Sequence, residues 1–150
     1  MSLKIIPHKF ALLKGSIEKR MMHITDHILA DQNEISSFVN LKLMNSSEMI
    51  RLNNEFRKKD SDTNILSFPA SNELKKHSGE LGDIAISVPY AKNEMQSLKR
   101  NLDDHMMHLL THGILHLLGF DHKEEKEAKI MEEKEIKYLE SFKIGNPYIQ

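Results

Sequence analysis

Apolar residues recur at helical spacing at Ile17, Met21, Ile24 and Ile28, so the chain predicts an early helix with Ser16 as its N-cap. The period then changes. Val39, Leu41 and Leu43 alternate with Asn40, Lys42 and Met44 as a half-buried strand does, before Met49, Leu52 and Phe56 return to helical spacing. Ile65 to Phe68 is a short apolar run stopped by Pro69. Leu81 to Ser87 is a second β segment after a polar loop holding Gly79 and Gly82, and the two segments could pair as neighbours. Pro89 suits the first turn of a helix reaching about Leu98, and Asp103 or Asp104 can cap a further helix that ends near Gly119. A last helix over about Lys123 to Phe142 sets Ala128, Met131, Leu139 and Phe142 on its apolar face, with mixed Glu and Lys as an ordinary solvated surface. With a strand around Leu3 to Pro7, these elements make one α+β domain over residues 1–150, a small mixed sheet packed by helices, without repeats or an evident linker.

Composition narrows the class. A chain of 150 residues can bury about 68–70% of the surface its unfolded form exposes, so its core needs no staples. It has no cysteine, which makes a disulfide-dependent extracellular fold untenable, and no apolar run long enough for a membrane span or a signal core. A cytoplasmic protein is expected. The nine methionines read as flexible core filler. Net charge is −1, so any nucleic-acid binding must come from a local patch. Arg51, Arg57, Lys58 and Lys59 form one basic group; Lys9, Lys14, Lys19 and Arg20 form another, which reads as a solvated face.

The chemistry is concentrated in residues 112–122, HGILHLLGFDH. His112 and His116 are four apart, so on a helix their side chains point within about 40° of each other and can reach one ion. Gly119 can take φ > 0 at the helix end and turn the chain back, bringing His122 to the same ion. Five of the nine histidines (His105, His108, His112, His116 and His122) lie in this part of the chain, and the first four follow one helical stripe. Of these, His112, His116 and His122 are the expected metal ligands, while His105 and His108 are expected to support the ligands or to pack. Three imidazoles and no thiol favour a single Zn²⁺ with its fourth position open, which is the catalytic arrangement.

The spacing H-x-x-x-H-x-x-G-x-x-H is also that of metzincin proteases, where a glutamate after the first histidine is the general base. Here that position is Gly113. A glycine accepts no proton, so the peptidase reading lacks the group its mechanism requires, and a glutamate introduced there is expected to put a carboxylate where phosphate must bind.

These residues, together with LNNEFRKKDSDTNILSFP (Leu52 to Pro69), GELGDIAIS (Gly79 to Ser87) and the closing IGNPY (Ile144 to Tyr148), resemble the YbeY family of bacterial metal-dependent endoribonucleases over roughly positions 50 to 150. Two positions depart from the family pattern. Lys58 stands where a small residue commonly follows the arginine, and Asp62 where a proline precedes the threonine. The resemblance implies single-strand-specific cleavage of ribosomal RNA, including 16S rRNA 3′ end processing and ribosome quality control. It also implies ribosomal RNA and the small ribosomal subunit as partners, with neither membrane nor DNA involved.

Zinc lowers the pKa of a bound water toward about 7 and polarises a phosphoryl oxygen, and a guanidinium can hold two non-bridging oxygens of the transition state at once. The resemblance gives that role to Arg57, making Arg57, His112 and His116 the expected catalytic set. Asp121 can either orient a ligand histidine through its free N–H or cap the turn. Two other readings, a metzincin-like zinc metallopeptidase and a ribosome-associated binding factor with a structural metal, are separated from the ribonuclease by peptide and RNA cleavage assays.

Overall fold

The computed structural model describes residues 2–6 and 13–149, so Pro7 and Lys9 of the expectations above lie outside the described residues. The elements run β1 (Leu3–Ile6), α1 (Gly15–Asp31), β2 (Phe38–Met44), α2 (Ser46–Arg57), β3 (Ile65–Pro69), α3 (Asn72–Ser78), β4 (Glu80–Ser87), α4 (Val88–Ser97), α5 (Leu102–Leu117) and α6 (Glu125–Glu140). The expected α+β class holds. The sheet order is β1-β2-β4-β3; β1, β2 and β4 are parallel, and β3 runs antiparallel to β4 at one edge. The expected pairing of Ile65–Phe68 with Leu81–Ser87 is thus present, with Leu66 opposite Ala85.

The apolar periodicity is what the core uses. Ile17, Met21, Ile24 and Ile28 of α1 meet Val39, Leu41 and Leu43 of β2 and Ile84 and Ile86 of β4, all buried. Five methionines (Met21, Met49, Met106, Met107 and Met131) are buried, as core filler should be. On the other face of the sheet, Met49 of α2 covers Leu66 and Ala85 in a smaller cluster. α5 is apolar on most of its circumference, and Met106, Met107, Leu110, Ile114 and Leu115 are buried, so it is the central helix of the domain. Among the described residues, no helix is long and apolar enough to cross a membrane.

Three local expectations are corrected. α1 starts two residues early, with Lys14 as N-cap and no side-chain cap bond, so Ser16 does not cap. α5 is capped by Asn101, whose Oδ1 accepts from the Asp104 N–H at 2.8 Å. Asp103 and Asp104 instead sit in the first turn, where carboxylates complement the helix dipole. α3 occupies what reads as a polar loop. It buries no residue, so it leaves no apolar stripe to detect; Ser71 caps its start and Gly79 ends it.

Both departures from the family pattern have local accounts. Lys58 ends α2 in the left-handed region (φ 58°), where a glycine, having no Cβ, fits with less strain. Asp62 holds its loop by accepting from the Thr63 N–H at 2.9 Å and the Ser87 hydroxyl at 3.3 Å.

Gly113 is a packing residue. A Cβ there would lie 2.9 Å from Ile84 Cδ1 and 3.0 Å from Ile65 Cδ1, so the missing side chain lets α5 press against β3 and β4. The expectation that a glutamate here would reach the phosphate site is therefore wrong, because its side chain would start out toward the sheet. Gly113→Glu should instead lower stability by about 3 kcal/mol or more, overpacking and a buried carboxylate acting together. A melting temperature equal to wild type would show that the interface absorbs the change.

Candidate metal centre

α5 carries His112 and His116 to its C-terminal end. Its termination is a paired hydrogen-bond motif, in which Gly119 N–H donates to the His116 carbonyl and Phe120 N–H to the Leu115 carbonyl, both at 3.0 Å. Gly119 takes φ 103° to make that reversal, and three residues later His122 returns to the helix. One potential ligand atom from each of His112, His116 and His122 lies within 4.8 Å of the others, as the spacing predicts.

The donor set suits an ion. His112 Nε2 and His116 Nε2 face each other at 3.1 Å. Two nitrogens bound tetrahedrally at about 2.0–2.1 Å would be about 3.3 Å apart, so the pair is nearly at ligand spacing. Each ring is turned by a bond at its other nitrogen: His116 Nδ1–H donates to the Phe120 carbonyl at 3.1 Å, and His112 Nδ1–H to Glu135 Oε1 at 3.3 Å. Both Nε2 lone pairs are thereby left for a cation. Burial, and then the neighbouring His112 and His122, push the His116 pKa below its ordinary value, so it stays a neutral donor. Asp121 Oδ1 accepts from the His122 backbone N–H at 2.7 Å, so its side chain caps the turn.

Glu135 is the residue that sequence reasoning missed. It sits on α6 at 1% exposure and accepts from His108 Nε2–H at 2.8 Å and from the Tyr148 hydroxyl at 2.9 Å, as well as from His112. Arg100 donates to His108 Nδ1 at 3.2 Å, which leaves the His108 proton on Nε2. Burial pushes the Glu135 carboxyl up, but the hydrogen bonds from His108 and His112 outweigh it and hold the group at about 2. The signal was available: Met131, Glu135, Tyr138 and Leu139 share one buried face of α6, so a carboxylate stands in an apolar stripe. His105 and His108 lie outside the trio. His105 is buried and bonds Glu94 at 3.0 Å, while His108 braces Glu135.

Glu135→Gln keeps the shape but supplies an amide that cannot accept from every donor aimed at it. It should weaken metal affinity by about 10–100-fold with little change in melting temperature, read by competition against a chromophoric chelator. Equal affinity would reduce Glu135 to a packing role.

Arg57, at the end of α2, lines the same cleft as the trio. The cleft has a volume of about 640 Å³ and is walled by Thr63–Ser67 and Pro69 on one side and by His112, His116 and Gly119–Lys123 on the other. Of the upstream basic group, Arg57 alone lines this cleft.

Comparison with known proteins decides among the chemistries such a cleft allows. The sequence model of the family described as Endoribonuclease YbeY matches residues 8–143. The chain belongs to the YbeY endoribonuclease family. Endoribonuclease YbeY of Francisella tularensis subsp. novicida (strain U112) is 40% identical over 132 residues, covering 82% of this chain and 79% of the relative. Its counterpart from subsp. holarctica (strain FTNF002-00 / FTA) is 39% identical with the same coverage. The solution structure of TM1509 from Thermotoga maritima superposes with a TM-score of 0.65 at 29% identity, covering 92% of this chain and 87% of that one. Membership in the YbeY family places the chain among RNA hydrolases and disfavours the peptidase and binding-factor readings; maturation of ribosomal RNA fits the family. The family match stops short of residues 144–148, the segment that brings Tyr148 to Glu135.

Proposed function

We propose that this chain is a zinc-dependent endoribonuclease that cuts single-stranded RNA, with ribosomal RNA as its target. The task would be maturation and quality control of the small-subunit RNA, including its 3′ end, in the cytoplasm and in contact with the small ribosomal subunit. The observation that carries this reading is the cleft itself, where a three-histidine donor set and a guanidinium line one space in a member of an endoribonuclease family. His112, His116 and His122 would hold the ion, with Arg57, His112 and His116 as the catalytic set. Zinc bound there supplies Lewis acidity and an activated water at neutral pH.

The protein's own groups do the rest. Arg57 binds the phosphodiester through two non-bridging oxygens, countering the charge that builds on them. Glu135 retains the proton on His112 Nδ1, and the Phe120 carbonyl retains the one on His116 Nδ1, so neither ligand ring can turn its N–H toward the cleft. Lys123 at the cleft wall adds a further positive charge. With a net charge of −1 the rest of the surface does not attract RNA indiscriminately, so recognition is confined to this cleft and to whatever partner presents the substrate.

The test is RNA cleavage by a clean preparation whose metal content has been measured. One zinc per chain, cutting of single-stranded RNA, and arrest by a chelator with recovery on zinc addition are expected. Intact RNA in the presence of stoichiometric metal would point to a structural ion, and chelator-sensitive casein hydrolysis would revive the peptidase.

A further inference from the structure

β3 is one of the two outer strands of the sheet, and it forms one wall of the cleft that holds the histidines. In an antiparallel ladder the residues alternate between bonding their partner and pointing their backbone groups away from it. Here Ser87 N–H donates to the Asn64 carbonyl and Ala70 N–H to the Leu81 carbonyl, which fixes the phase. With the register Ile65↔Ile86 through Pro69↔Gly82 unbroken, Leu66 and Phe68 face β4, while Ile65, Ser67 and Pro69 turn their backbone groups outward. Pro69 has no N–H. Two amide donors are left on the open edge, Ile65 N–H and Ser67 N–H, about 6.8 Å apart at two residues' rise. Neither has a partner outside the ladder among the described residues.

Unpaired strand edges bind what is offered to them unless something blunts them. This edge is held against the histidine helix because Gly113 lets Ile65 approach α5, so the two donors open onto the candidate metal centre. Arg57 and Lys123 line the same cleft and give it an affinity for anions. We propose that the outer edge of β3 is the bed of the substrate strand: an extended single-stranded RNA lies along it, with phosphate oxygens accepting from the Ile65 and Ser67 amides. Backbone amides are common phosphate donors, and they position a strand without reading its sequence. An extended peptide would need alternating donors and acceptors along the whole edge, and Pro69 withholds one donor. The two cations favour the polyanion over the peptide. Such a bed accounts for a preference for single strands, because a duplex cannot lay one backbone along a recessed edge.

This inference rests on the RNA-cleaving reading above, and one experiment separates the two. The full metal-loaded chain is titrated with a nuclease-resistant 2′-O-methyl octauridylate and followed by amide-resonance shifts and fluorescence anisotropy. The Ile65 and Ser67 amide protons should move most, with Leu66 and Phe68, whose N–H groups are held by β4, as internal controls. Ser67→Pro deletes one outward N–H from an edge position where proline is tolerated and should weaken binding about tenfold, with metal content unchanged. Ser67→Ala, which keeps the N–H, should bind as wild type. Octauridylate that binds while both edge amides stay silent, with unmodified octauridylate still cut in a parallel assay, overturns this inference alone. Absence of RNA binding overturns the functional reading with it. An extended peptide that shifts the same amides at lower concentration than the RNA assigns the edge to peptides instead. The wild-type shifts decide the matter even where Ser67→Pro does not fold.

Discussion

Replacing His116 with alanine should empty the proposed metal site: metal content is expected to fall from one ion per chain to near zero, and RNA cleavage at least 100-fold, equivalent to about 2.7 kcal/mol of transition-state stabilisation. His116 is central to the trio. Its ring meets both His112 and His122, with centroids at 4.6 and 4.9 Å, and its Nε2 faces that of His112. Without it two imidazoles remain, one on the helix and one on the turn, too few for the three-ligand set that holds a catalytic zinc. The fold should persist, since the ring is only partly buried and the Phe120 carbonyl it leaves lies at the cleft rim. Acid should mimic the substitution reversibly, because each imidazole must be neutral to bind. The lowered pKa of His116 keeps that ring a donor to lower pH than an ordinary histidine. Elemental analysis of wild type and His116→Ala from parallel preparations is the check, and a variant with full stoichiometric metal would refute the ligand assignment.

Much of this site is legible in the sequence, for a physical reason. A helix repeats every 3.6 residues, so His112 and His116 had to share a face, and Gly119 is the residue that a helix reversal favours. Strand period placed β2, and the run ended by Pro69 placed β3. What escaped was decided by contacts between distant segments. Glu135 lies 23 residues from His112 and is made a partner by the packing of α6 on α5, and Tyr148 reaches it from the C-terminal segment. Reading the Glu and Lys of α6 as uniformly solvated hid the one carboxylate that is not. The phase of β3 was equally hidden, because which residues face outward depends on the register with β4 and not on β3's own pattern. α3 was missed because it covers nothing. Gly113 was understood for the base it lacks, whereas its place in the fold comes from Ile65 and Ile84, which come from two other strands.

Arg57→Ala should lower RNA cleavage by about 10²–10³-fold, the range for removing one preorganised donor to a developing anion. Arg57→Lys should recover only part of that and stay at least tenfold below wild type, because an ammonium is a point charge and cannot hold two oxygens in one plane. The position explains why the effect should be confined to chemistry. Arg57 is the last residue of α2, exposed and outside the core, and Lys58 already turns the chain away from the helix, so truncating its side chain leaves no cavity. It supplies no ligand atom of the histidine trio, so metal content should be unaffected. Melting temperature and metal content are therefore the controls, and cleavage is the readout. An interaction made mainly in the transition state lowers kcat and kcat/KM together, whereas a simple phosphate tether raises KM alone. If folded, metal-loaded Arg57→Ala cuts RNA at the wild-type rate, Arg57 is a surface cation, and the charge on the phosphodiester must be met by Lys123 or by the β3 amides instead.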